Sequence, residues 1–404
     1  MFHRFLFVVL LAFSFGLASR AVADVPIWGM EGGDPGHTNQ SSLLAPQTDV
    51  NKLWKVDLGA NSFCQPAIGA DGTIYVTNDL GQLIAVSPQG QKLWTFSGAS
   101  SGATSPAIGN DGTIYFGTGE VGSNGGGPSY AYAVNPNGSE RWQVNVGNQL
   151  PCDPVIDPQG RIHFADYNYY CLNPNGSVAW SSAVIAQSPP ALLPNGNSVF
   201  VSATSYKCCN SSGNTVWTSS YGYSLEAPIV AKNGDLYAAC YNGAVWKIDP
   251  ATGATLQTIN TGLNAVQMLS IDDNAHRLYV SDDSYLRSFD LNGNMQLSYS
   301  GTCGRSGPAL IDAAGNLLVS QGQVGNGIDY ISSSGSPLWH FAADEPAYHF
   351  GEPTLGLGGV VYATNWTYNG SSGYLYAIPE PTTLSLLGIG AIGLLAYAWR
   401  RRRV

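Results

Sequence analysis

Charge is scarce in this chain. Only 11% of its 404 residues are Asp, Glu, Lys or Arg, and basic residues number 17 against 27 acids. Six of those 17 (Arg4, Arg20, Arg400, Arg401, Arg402 and Arg403) stand at the extreme ends. With Glu380 also set aside, the body keeps 11 basic and 26 acidic residues, a net charge near −15. It has no basic run. Nucleic acid is therefore excluded as a partner, because phosphate binding needs clustered Lys and Arg. The usual signatures of catalysis are also missing. The seven cysteines (Cys64, Cys152, Cys171, Cys208, Cys209, Cys240 and Cys303) contain no C-x-x-C and no zinc spacing with His. Their odd number leaves at least one thiol unless it pairs between chains. There is no G-x-S-x-G and no H-E-x-x-H. GSNGGGPS (122–129) precedes neither Lys nor a helical pattern, so it is not a phosphate loop. The ADGT and NDGT turns lack the alternating acids of a calcium loop. No residue is assigned to catalysis, to a cofactor or to a metal.

Glycine, by contrast, is plentiful, with 49 residues, and a repeat is built on it. QPAIGADGTIYVTN (65–78), SPAIGNDGTIYFGT (105–118), APIVAKNGDLYAAC (227–240) and GPALIDAAGNLLVS (307–320) share one form. Pro leads a short apolar strand, a polar Gly turn follows, then a β-rich strand. Asp-Gly or Asn-Gly between apolar runs is a strong hairpin signal. Copies begin near 66, 106, 154, 190, 228, 268, 308 and 353, a period of about 40, which is that of propeller blades.

A second hairpin follows each first. In AVSPQGQKLW (85–94), AVNPNGSERW (133–142), CLNPNGSVAW (171–180) and CCNSSGNTVW (208–217), Trp stands four residues after Gly, as Trp339 does after Gly335. Gln257 and Leu297 take that place in copies five and six. Each copy thus has strands A, B, C and D. The eighth copy stops after strand C, YLYAI (374–378), while an orphan KLWKVDLG (52–59) carrying Trp54 precedes the first. The expectation is an all-β fold: an eight-bladed β-propeller over 52–378, closed by the N-terminal strand and preceded by a lead-in, 24–51. Trp54, Trp94, Trp142, Trp180, Trp217 and Trp339 are expected to pack between blades, where large aromatics bury much area.

In such a ring the D–A and B–C loops share one face, and the A–B and C–D turns share the other. The turns here are short and uniform; the loops vary in length. Variable loops on a rigid scaffold are where binding usually resides. The candidate binding face is Asp79, Glu120, Asp166, Glu226, Asp282, Tyr348, His349 and Trp366. Acids and aromatics together suit a glycan or a cation.

The two ends carry an address. Met1 to Arg4 is a short positive start, Phe5 to Ala18 is apolar, and Ala21-Val22-Ala23 is an A-x-A site. That predicts a signal peptide, 1–23, cut between Ala23 and Asp24. At the other end, 379–404, Pro379-Glu380-Pro381 precedes an uncharged stretch, 382–399. At about 1.5 Å per residue this stretch just spans a bilayer core of roughly 30 Å, which predicts one transmembrane helix. Arg400 to Arg403 would hold its end on the cytoplasmic side. This tripartite tail resembles the PEP-CTERM sorting signal of Gram-negative bacteria. The resemblance implies cutting by an exosortase, a link to exopolysaccharide, and cell-surface or extracellular placement after processing.

The repeat Ala-x-(Ser/Asn)-Pro-x-Gly-x-x-x-Trp, with the opening WGMEGGDPGHTNQSS (28–42), resembles the pyrroloquinoline-quinone-like (PQQ-like) repeats of bacterial eight-bladed propellers. That family includes quinoprotein dehydrogenases and cofactor-free scaffolds. Three readings follow from the resemblance: a non-catalytic binding or scaffold module of the envelope or matrix, a quinone- or metal-dependent oxidoreductase, and a structural subunit of an envelope assembly complex. Some quinoprotein dehydrogenases have adjacent cysteines against the quinone. Here Cys208-Cys209 falls in strand C of blade 4, where Cys208 aligns with Ala85, Ala133 and Cys171, which predicts buried small side chains instead.

Overall fold

A computed structural model describes residues 25–47, 51–119, 127–165, 168–221, 226–300, 307–321, 327–344, 349–367 and 372–378. The expected signal peptide, with Ala23 and Asp24, and the tail from Pro379 to Arg403 lie outside them. Seven antiparallel sheets of four strands each run A-B-C-D in chain order. Their innermost strands are short: Ala67–Ile68, Ala107–Ile108, Val155–Ile156, Ala191–Leu192, Ile229–Val230, Met268–Asp272 and Leu310–Ile311 for blades 1 to 7. Blade 8 has Thr354–Leu355 inside, then Val361–Trp366 and Tyr374–Ile378. Its outer strand is Trp54–Asp57, with Trp54 opposite Ala377 and Asp57 opposite Tyr374. The N-terminal strand closes the ring as expected, so neither end of it shows an open sheet edge.

One transverse row explains much of the repeat. In blade 1, Tyr75 on strand B lies opposite Ala85 on strand C, which lies opposite Trp94 on strand D. The two rings flank the small residue at 5.8 Å between centroids. Blade 2 repeats this with Tyr115, Ala133 and Trp142, and blade 8 with Tyr362, Ala377 and Trp54. A small side chain at the middle place lets both rings close over it. Each Trp then reaches the next blade. The Nε1–H groups of Trp54, Trp94, Trp142 and Trp217 donate to the carbonyls of Pro88, Pro136, Pro174 and Pro250. The turn glycine two residues beyond the first three prolines lies on the indole face. A Cβ at Gly138, whose φ is +86°, would meet the Trp94 ring at 2.8 Å.

The lead-in forms the floor of the central channel. Strand A of each blade is an inner edge with backbone N–H groups facing the axis, and such groups need acceptors. Residues 28–39 supply them in sequence. Ile68 and Ile108 donate to the carbonyls of Trp28 and Gly29 at 2.8 and 2.7 Å. Leu192 and Val230 donate to Pro35 and Gly36, each at 2.8 Å. Ile271 and Ile311 donate to Thr38 and Asn39 at 3.1 and 2.8 Å. Six of the eight blades are thereby pinned to one strap. Further on, Pro46 stands in for the C–D turn that blade 8 lacks: Trp339 of blade 7 donates its indole N–H to the Pro46 carbonyl at 2.7 Å. Among the described residues the sole helix is one 3-10 turn, Leu357–Gly359, and no helix is long and apolar enough to cross a membrane.

Candidate functional site

The loop face brings some of the candidate residues together and not others. Trp366 ends strand B of blade 8 and pairs across the strands with His349. Their rings are 4.7 Å apart. Phe63, in the loop that enters blade 1, stands 4.9 Å from the Trp366 ring and is 54% exposed. Phe63 was not among the residues expected from the sequence. Its signal was an aromatic in a D–A loop, NSFCQP, just before the Pro that opens a blade. Asp79 lies in the B–C turn of blade 1 and is exposed. Asp282 is 8% exposed, and its Oδ1 accepts from the N–H groups of Ser284 and Tyr285 at 2.8 Å each, which makes it a turn-forming residue. Glu226 turns away from this rim to line the axial cavity. Glu120, Asp166 and Tyr348 lie outside the described residues.

The axial cavity holds about 250 Å³. The lead-in floors it with Glu31, Gly32, His37 and Asn39, and the starts of strands A wall it with Ser188, Glu226, Gln267, Pro308 and Glu352. No Lys or Arg lines it. Asp153, at the entry to blade 3, approaches Glu31 from the side and accepts from the Ser105 N–H at 2.5 Å. Burial, then the charges of Asp153 and Glu352, hold the Glu31 carboxyl well above its usual range. Burial, then Asp153, pushes Glu352 up to about 8. Burial lowers His37, so its ring is kept neutral, and its Nε2 lies 3.2 Å from the Pro190 carbonyl. The three acids come from 31, 153 and 352, three points that sequence spacing does not connect.

A second constellation has the residue types of a nucleophile site. In blade 3, His163 Nε2 is 3.9 Å from Cys171 Sγ and 3.4 Å from Asp157 Oδ2, while Nδ1 bonds the Tyr169 hydroxyl at 2.9 Å. Nucleophile and acid reach the same ring nitrogen, so the acid cannot orient the ring toward the thiol as a catalytic relay requires. Cys171 and Tyr169 are fully buried, and burial pushes the thiol up to about 12. Here Cys171 fills the small-residue place between His163 and Trp180. Cys208 does the same between Val199 and Trp217 in blade 4. Cys208 and Cys209 are both fully buried, free, and packed into different clusters of the core.

Fold and site define a class: an eight-bladed, all-β propeller with a strapped channel and an acidic axial cavity. Its blades are of the PQQ-like repeat type. Residues 127–286 match the family model described as outer membrane protein assembly factor BamB, and residues 377–403 match the PEP-CTERM protein-sorting motif. The motif marks an exported, membrane-sorted protein and implies exosortase-type processing. Quinohemoprotein alcohol dehydrogenase from Comamonas testosteroni shares 13% identity with it at a TM-score of 0.64, over 89% of this chain and 81% of that one. BamB from Moraxella catarrhalis shares 16% at 0.62, over 82% and 98%. The C-terminal WD40 domain of Sif2 shares 11% at 0.66, over 82% and 99%. At these identities the likeness is one of fold. No curated protein matches the sequence.

The residues present do not fit a quinone of the PQQ type. That cofactor is a tricarboxylic acid, whereas the cavity is lined by Glu31, Glu226 and Glu352 and by no Lys or Arg, so its carboxylates would find no cationic partner there. The adjacent cysteines sit in a core strand and are not among the residues that line this cavity.

Proposed function

We propose that this protein is a non-catalytic, exported binding module whose loop face takes a polysaccharide of the envelope or extracellular matrix. The observation that carries this is Phe63, more than half exposed and backed by Trp366 and His349. An exposed aromatic ring stacked on its neighbours offers a platform for a ligand on a variable loop face. Its π face suits the C–H groups of a sugar ring, and loop hydroxyls and amides suit the sugar's own hydroxyls. Pro379, Glu380 and Pro381 are the residues that the processing enzyme would read, with Arg400 to Arg403 holding the tail until it is cut. The test is binding of the purified chain to an array of bacterial glycans, beside Phe63→Ala and Trp366→Ala. Binding that falls at least tenfold in both variants, with unchanged melting, supports the reading. Undiminished binding removes this face as the site.

A second reading, a subunit of an envelope assembly complex, is favoured by the match of residues 127–286 to the assembly-factor model. Stoichiometric co-purification of envelope proteins with a chain that binds no glycan would select it.

A further inference from the structure

We infer that the axial cavity is a binding site for a small compound bearing a primary ammonium group. Three carboxyl groups line it, Glu31, Glu226 and Glu352, and its sole basic side chain, His37, is held neutral. The acids are not merely a solvated cluster. Asn39 is 2% exposed and lines the same wall, yet its Oδ1 has no hydrogen-bond partner among the described residues. The Oε2 atoms of Glu31 and Glu352 likewise have none. A buried acceptor without a donor is costly, so a donor that enters the cavity recovers that cost. An ammonium group brings three donors and the matching charge.

The geometry selects among cations. Among the described residues no three His, Cys, Asp or Glu side chains stand close enough to ligate one metal ion. A cation with its charge on a carbon frame reaches separated acids better than a bare ion does. At about 250 Å³ the cavity lies below the roughly 300–1,000 Å³ of pockets for drug-sized ligands, so the ligand is about the size of one sugar ring or a short diamine. The amide of Gln267 on the wall would meet a hydroxyl as readily as a second amine. An amino sugar and an aliphatic diamine share this chemistry. The first would deepen the glycan reading above, but the cavity stands on other residues than Phe63 and Trp366, so each fails separately.

The experiment is calorimetric titration of the purified full chain at pH 8 with glucosamine, putrescine, N-acetylglucosamine and calcium chloride. Glucosamine or putrescine should bind, and N-acetylglucosamine, which lacks the charge, at least tenfold more weakly. Which of the two amines is tighter identifies the carrier. Glu31→Gln and Glu352→Gln keep the shape of the side chain and should each weaken amine binding at least tenfold while still folding and melting in one cooperative transition. Binding should also release protons, read as a heat that depends on the buffer, because Glu352 must ionise to meet the ligand. The titratable groups around it are Glu31, Asp153, Glu226 and His37, with Asp34 beside His37. Absence of amine binding, equal binding of N-acetylglucosamine, full binding by both Gln variants, or calcium that displaces the amine would each overturn the inference.

Discussion

At the scale of single residues, the repeat is a clasp between neighbouring blades. The Trp of one blade gives its N–H to a Pro carbonyl in the next, and the Gly beyond that Pro leaves room for the ring. Blade 4 breaks the pattern, because Ser211 stands where blades 1, 2, 3 and 5 have Pro. Its carbonyl accepts from Arg161 at 3.2 Å instead, and Trp180 Nε1 has no partner among the described residues. Trp142, one blade earlier, keeps its bond to Pro174 at 2.9 Å. Replacing each by Phe removes the same ring atoms but only one hydrogen bond. Trp142→Phe should therefore cost about 0.5–1.5 kcal/mol more than Trp180→Phe in urea unfolding. Equal costs would mean that the indole N–H does not tie the blades. The clasp was half legible in the sequence. The Gly-to-Trp spacing announced it, but the partner carbonyl lies a blade away, beyond any local pattern. The vicinal cysteines were legible in full, because alignment with Ala85 and Ala133 already put Cys208 in a place for small side chains.

At the scale of elements, the hairpins followed from the turn residues, and counting copies gave the closing strand. The lead-in did not follow. It has no period, since it satisfies one inner strand after another by turning round an axis, and its backbone takes positive φ at Gly32, Gly33, His37 and Asn39 to do so. Its load of buried acid was equally hidden, because Glu31 meets Asp153 and Glu352 only when the ring closes. That load has a consequence for stability. Glu352 ionises near 4.5 when unfolded and near 8 when folded. Between those values the folded chain holds a proton that the unfolded chain has lost, so stability falls as pH rises through that window. His37 and His163, lowered by burial, act the other way and withdraw stability as pH falls below their usual range. Glu352→Gln removes only the first effect. The melting temperature of the variant, less that of the parent, should rise steadily from pH 5 to pH 8. A constant difference would mean that Glu352 is ionised in the fold throughout.

At the scale of the whole molecule, the ring's two faces have different fates. The last strand, Tyr374–Ile378, starts beside the loop face and ends opposite Val361, just past the turn at 357–359. The chain therefore leaves the ring on the turn face, and only Pro379-Glu380-Pro381 separates it from the uncharged stretch. Three residues span about 10 Å at most, less than the ring's own thickness. While the tail is attached, we expect the turn face and the floored end of the channel to sit against the membrane. Phe63, Trp366 and the loop face then point away from it. Cutting the tail would free both faces without altering either. The same protease site, placed once in the blade 8 turn at 357–359 and once in the blade 1 B–C loop at 79–81, reads this directly. In intact membranes the loop site should be cut at least tenfold faster, and in detergent the two rates should converge. Equal rates in membranes would show that the ring swings freely on its tether. In that case the loop face would gain no outward bias from the anchor, and a surface polysaccharide would be no more accessible to it than any other ligand.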